Sequence, residues 1–88
     1  MKTEDQFFKD IELAIERVVG PKKISMETFL KTDLGVQSID FVDISFELEE
    51  LTGLRFRFSQ IMAVDGLLKT DLQVQDIIRH LRQQQRNP

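Results

Sequence analysis

The sequence contains no cysteine, which excludes a disulfide framework, a thiolate zinc site and a cysteine nucleophile, and fits a compartment where disulfides are not needed. No apolar run approaches the ~20 residues that cross a bilayer, so no membrane span is expected. The opening stretch, Met1 to Lys9, lacks the basic-then-apolar layout of a signal peptide, and the expected compartment is cytoplasmic. An excess of basic residues is also missing. Twelve Lys and Arg stand against fifteen Asp and Glu, a formal charge of -3, which is the wrong balance for a protein that neutralises phosphate backbones, so nucleic acid is not an expected partner. No Gly-rich phosphate loop is present, and Gly35 stands alone. The single histidine, His80, lies among arginines with no motif that sets a base beside a nucleophile. It is read as a surface helix residue, and the chain as a non-catalytic protein.

What the chain does have is apolar content in a short length. Its 88 residues suffice for one small domain, 1–88, and 41% hydrophobic against 31% charged residues places it outside the regime that stays disordered. Thr3 followed by Gln6 is a capping-box pattern, and Phe7, Ile11, Ala14, Ile15 and Val18 then recur at helical spacing as far as the stop at Gly20-Pro21. From Pro21 to Gln37 the period breaks, though Ile24, Met26, Phe29, Leu30 and Leu34 are apolar enough to pin a long connection against a core. A second helix is expected from Ser38 to Thr52, closed by Gly53. Ser59 is placed to cap a short helix through Val64, with a turn at Asp65-Gly66. Leu72, Val74, Ile77, Ile78 and Leu81 describe a last helix opened by Thr70 or Asp71, followed by a polar tail, 83–88, expected to fray. The expected class is all-α: a four-helix bundle with a long first loop and an extended segment, 54–69, between the second and last main helices.

The second helix has two apolar faces. Phe41, Ile44, Leu48 and Leu51 form the stripe that a bundle helix buries. Ile39, Val42 and Phe46 fall on another side, among Asp40, Asp43, Glu47, Glu49 and Glu50, and the whole stretch Asp33 to Thr52 holds six acidic residues and no Lys or Arg. An apolar patch rimmed by acid suits docking to a basic partner, in which charge steers the encounter and the apolar residues supply burial. The plain alternative is a solvated acidic face with stray exposed hydrophobes. Paired carboxylates such as Asp40 with Asp43, or Glu47 with Glu50, lack the loop oxygens of a hard-cation site, so no metal is expected. Ser38 opens this helix after a Gly-containing loop. It is either an ordinary N-cap or a modified hydroxyl, since a phosphodiester at a helix start sits where unpaired N–H groups favour an anion.

The stretch "DLGVQSIDFVDISFELEELTG", Asp33 to Gly53, resembles the central motif of acyl carrier proteins, in which an Asp-Leu-Gly-x-Asp-Ser-Leu sequence precedes an acidic recognition helix. The resemblance implies that Ser38 carries 4'-phosphopantetheine, transferred from coenzyme A by a phosphopantetheinyl transferase, and that acyl groups ride on its thiol as thioesters. Asp33, Leu34 and Gly35 match the approach, and Ile39 stands where the family has leucine. Asp40, Val42, Asp43, Leu48, Glu49 and Glu50 fall at matching helix positions, and "VQDII", Val74 to Ile78, is similar to the closing helix. The resemblance covers most of the chain, is strongest in this central stretch and is weak in the first helix. It implies a monomeric four-helix carrier in fatty acid, lipid or secondary-metabolite synthesis, whose second helix docks to acyl-transferring and synthase enzymes with basic patches.

Three departures point to a specialised member. Gln37 replaces the aspartate that usually precedes the serine, which removes a charge beside the modification site and slows transfer by some transferases. The stretch from Gly53 to Val74 is longer, apolar and basic (Arg55, Phe56, Arg57, Phe58, Ile61, Met62) where acidic residues are more usual. Its apolar residues, with Leu67 and Leu68, either shelter an unusual acyl chain or simply pack the extra loop. Phe46 is bulky for its position, which narrows the partner set. The competing expectation is a helical protein-interaction adaptor that uses the same acidic surface and keeps Ser38 as a cap.

Overall fold

Thr3 and Gln6 form the expected reciprocal cap, with Gln6 N–H on Thr3 Oγ1 at 3.3 Å and Thr3 N–H on Gln6 Oε1 at 2.9 Å, and α1 runs Glu4–Val19 from it. Its stripe Phe7, Ile11, Ala14 and Ile15 is buried, and Val18 is half-buried; each large member contributes roughly 1.5–3 kcal/mol of apolar burial. Gly20 ends the helix at φ +93°, with its N–H on Glu16 O at 2.9 Å, a backbone that L side chains rarely adopt. This computed structural model describes residues 2–58, 61, 63–64, 67–68 and 71–86.

The connection from Pro21 to Gln37 is held by contacts distant in sequence. Leu30 and Val36 are fully buried, while Phe29, expected to help pin the loop, is 39% exposed. Phe29 instead forms an isolated antiparallel bridge with Gln73, flanked by Leu30 N–H on Leu72 O at 2.9 Å and Val74 N–H on Thr28 O at 3.0 Å. Asp71 completes the tie. Its Oδ1 accepts the N–H groups of Lys31 and Leu72, both at 2.8 Å, and its Oδ2 accepts Thr32 N–H at 2.9 Å and Thr32 Oγ1–H at 2.6 Å. Burial, the largest single influence, pushes the Asp71 carboxyl up, but the hydrogen bonds from Thr32, Lys31 and Leu72 together outweigh it and hold the group below its ordinary value. Asp71 therefore braces the loop rather than opening the last helix, and Thr70 lies outside the described residues.

α2 spans Ser38–Thr52, and Gly53 closes it in the left-handed region at φ +72°, with its N–H on Glu49 O. Beyond it, Phe56, Phe58 and Ile61 enter the core. Phe58 meets Phe41 of α2 edge-to-face at 4.7 Å and Phe56 at 4.8 Å, and Phe56 in turn meets the His80 ring at 5.5 Å. His80 is thus half-buried against an aromatic rather than a surface residue, with its Nε2 buried and unpaired among the described residues, and burial lowers its pKa.

Phe58 and Ile61 have helical backbone, but Ala63–Val64 (β1) pairs antiparallel with Leu67–Leu68 (β2), so the short helix expected as far as Val64 does not reach it. Ser59, Met62 and the Asp65-Gly66 turn lie outside the described residues.

The last helix, α3, spans Val74–Arg86 and buries Val74, Ile77, Ile78 and Leu81. It extends into the tail expected to fray because Gln85 grips the other end of the chain. Gln85 Oε1 accepts Lys2 N–H at 2.8 Å and Gln85 Nε2 donates to Lys2 O at 3.2 Å. The class is helical, with three helices and one two-residue strand pair among the described residues. Its Cα radius of gyration, 11.9 Å, matches the ~12 Å of a single packed domain of this length. No helix among the described residues is long and apolar enough to cross a membrane.

Candidate functional site

The start of α2 is built by the loop before it. Val36 is buried and fixes the approach, Gly35 takes φ +71°, and Gln37 is extended at φ -94°, ψ 170° as the residue that caps the helix. Asp40 reaches back to accept Gln37 N–H at 2.9 Å, the carboxylate half of a capping box that also complements the helix dipole. Ser38 is therefore the first helical residue and not the cap. It is exposed, and among the described residues no hydrogen bond engages its hydroxyl. The Oγ stands at the positive end of a helix of 15 residues, where a phosphodiester is favoured by outward-facing amides.

From Ser38 the helix presents two opposed faces. Phe41, Ile44 and Leu48 are buried against the core, with Leu51 half-buried, and Ser45 lies among them with its hydroxyl donating to Phe41 O at 2.9 Å. On the other side Ile39, Val42 and Phe46 are 70%, 52% and 57% exposed. Three large apolar side chains within two helical turns make a contiguous patch rather than scattered exposure.

The acidic residues around that patch are not equivalent. Asp40 is half-buried and committed to the cap. Glu47 lies on the flank toward α1 and accepts from Arg17 Nη1 at 2.9 Å. The Arg17 guanidinium is held above its ordinary pKa first by that hydrogen bond; desolvation, the next influence, pulls it down, and the fields of Glu47 and Glu50 push it up again. Glu49, on the opposite flank, accepts Phe56 N–H at 2.9 Å and pairs with Arg57 at 3.3 Å. Asp43 and Glu50 are exposed, and among the described residues neither takes part in a hydrogen bond or ion pair. The structure thus brings Ile39, Val42, Asp43, Phe46 and Glu50 together on the open face, and draws Asp40, Glu47 and Glu49 into its frame. Sequence reasoning missed Arg17 and Arg57, because the partners that reveal them are 30 and 8 residues away along the chain.

Among the described residues no three His, Asp or Glu are grouped to hold a metal ion. Surface depressions among the described residues lie elsewhere, two of about 290 Å³ beside Arg82 and Arg86 and one of about 480 Å³ floored by Phe8 and Met26. Of the residues offered for an acyl pocket, Phe56, Phe58 and Ile61 fill the core instead of lining these depressions, while Met62 and the side chains of Leu67 and Leu68 lie outside the described residues. Comparison with known proteins finds no matching family model, no similar curated protein and no similar solved structure.

Proposed function

We propose that this chain is an acyl carrier protein, modified on Ser38 with 4'-phosphopantetheine and passing acyl thioesters between partner enzymes. The observation that carries the proposal is the Ser38 hydroxyl, exposed and unengaged at the first residue of α2 while Gln37 and Asp40 perform the capping. A serine needed only as a cap would hold its hydroxyl on the backbone N–H two or three residues ahead. In the transfer, Ser38 Oγ forms a new bond to the pantetheine-side phosphorus of coenzyme A. The pyrophosphate P–O bond breaks, 3',5'-ADP departs, and the hydroxyl proton passes to a base on the phosphopantetheinyl transferase. The chain is then a substrate and a vehicle, with the thiol chemistry supplied by the arm.

In this proposal the open face of α2 is the grip for the transferase and for acyl-transferring or synthase enzymes. The helical backbone at Phe58 and Ile61 takes the place of the short third helix, which would make the fold a four-helix carrier bundle. The test is intact mass after incubation of the apo protein with coenzyme A and a broad-specificity transferase. The wild type gains one phosphopantetheine and Ser38→Ala gains none. A wild type left unmodified by several transferases would refute the carrier and leave a helical adaptor that uses the same face.

A further inference from the structure

The acidic helix is bracketed by the chain's own arginines, and this sets which partner surface it accepts. Arg17 of α1 closes one flank at Glu47, 2.9 Å away, and Arg57 closes the other at Glu49, 3.3 Å away. Both arginine side chains remain about half exposed, at 45% and 49%, so they also present positive charge to whatever approaches. Between them the open stripe keeps two carboxylates, Asp43 and Glu50, that are unpaired among the described residues. Seven residues separate these two, which is two helical turns, so both point the same way about 10 Å apart along the axis. Phe46 stands between them and Val42 beside Asp43, both largely exposed.

Resting on the carrier proposal, we infer that the docking partner presents two basic groups about 10 Å apart astride an apolar hollow for Phe46, and that Arg17 and Arg57 exclude partners whose positive charge spreads wider. Glu47 and Glu49 contribute little to attraction while their arginines are in place. A broad basic patch must either displace those arginines or face them, and like charges at close range are unfavourable. A narrow pair of cations meets Asp43 and Glu50 without contest. The acidic face therefore discriminates as well as attracts, which a count of its carboxylates does not reveal.

The experiment measures kcat/KM for phosphopantetheine transfer from coenzyme A at low ionic strength, where the Debye length is about 30 Å at 0.01 M. Far-UV melting of each variant checks that the fold is kept. Removing one contacting charge is expected to change the rate about threefold at a separation of several ångströms in water. Asp43→Ala and Glu50→Ala each slow transfer by about that factor or more, and Glu47→Ala slows it much less. Arg17→Ala accelerates transfer and steepens its salt dependence, and in that background Glu47→Ala costs as much as Asp43→Ala. If Glu47→Ala is as costly as Asp43→Ala with Arg17 present, or if Arg17→Ala is neutral or slower, the bracketing idea is overturned while the carrier proposal stands. If the wild type accepts no phosphopantetheine, both fall.

Discussion

Replacing Asp71 with alanine removes the carboxylate that ties the long loop to the start of α3. Four donors lose their acceptor: the N–H groups of Lys31, Thr32 and Leu72 and the Thr32 hydroxyl. Bonds to a charged acceptor contribute about 1.5–3 kcal/mol when buried, but Asp71 is only half-buried and water can replace part of what is lost. At roughly 0.5–1 kcal/mol for each donor, the loss is about 2–4 kcal/mol, or a fall in Tm of about 10–30 °C for a domain of this size. Asp71→Asn keeps one acceptor oxygen of the two and should lose about half as much.

The effect also has a defined pH dependence. The folded-state pKa of Asp71 is depressed, so its stabilisation is complete above the unfolded value of about 3.9 and disappears as pH falls through the folded value. Circular dichroism melts of wild type and Asp71→Asn should therefore differ at pH 7 and converge in strong acid. An Asp71→Ala protein melting within about 3 °C of wild type at neutral pH would contradict the reasoning. It would show that Leu30, Val36 and the Phe29–Gln73 bridge hold the loop unaided.

Three further outcomes are expected. Burial lowers the His80 pKa, so the neutral ring's contribution is present above about pH 6.5 and lost as pH falls through the folded value; His80→Phe should melt with less pH dependence than wild type between pH 7 and 5. Ile44→Ala, which empties a fully buried position, should cost about 2–4 kcal/mol in urea unfolding, whereas Phe46→Ala on the open face should shift stability by no more than about 0.5 kcal/mol while slowing phosphopantetheine transfer. Gln37→Asp places a preferred N-cap with its charge at the positive end of α2, and should raise the Tm read by circular dichroism by a few degrees, equivalent to about 0.5–1 kcal/mol.

Helix spacing and caps carried α1 and α2 into view from the sequence, because the apolar period and the Thr3–Gln6 box act within one or two turns. The two faces of α2 were legible for the same reason. What stayed hidden depends on pairs far apart in the chain. Asp71 reads locally as a helix opener, yet its partners Lys31 and Thr32 lie 40 and 39 residues earlier. Gln85 belongs to a polar tail until Lys2, 83 residues away, bonds to it. Glu47 and Glu49 look as free as Asp43 until the arginines of other segments are placed beside them. His80 sits on a polar run and is drawn inward only because Phe56 turns toward α3.

Lys2 and Gln85 meet through two hydrogen bonds, so the two ends of the described chain emerge at one corner. Joining them by a brief linker would ask for almost no rearrangement, and fresh ends could be opened in the exposed stretch Pro21 to Lys23. Such a circular permutant would preserve every contact that shapes α2 while changing the order in which the helices leave the ribosome, which separates the architecture of the site from the history of its folding.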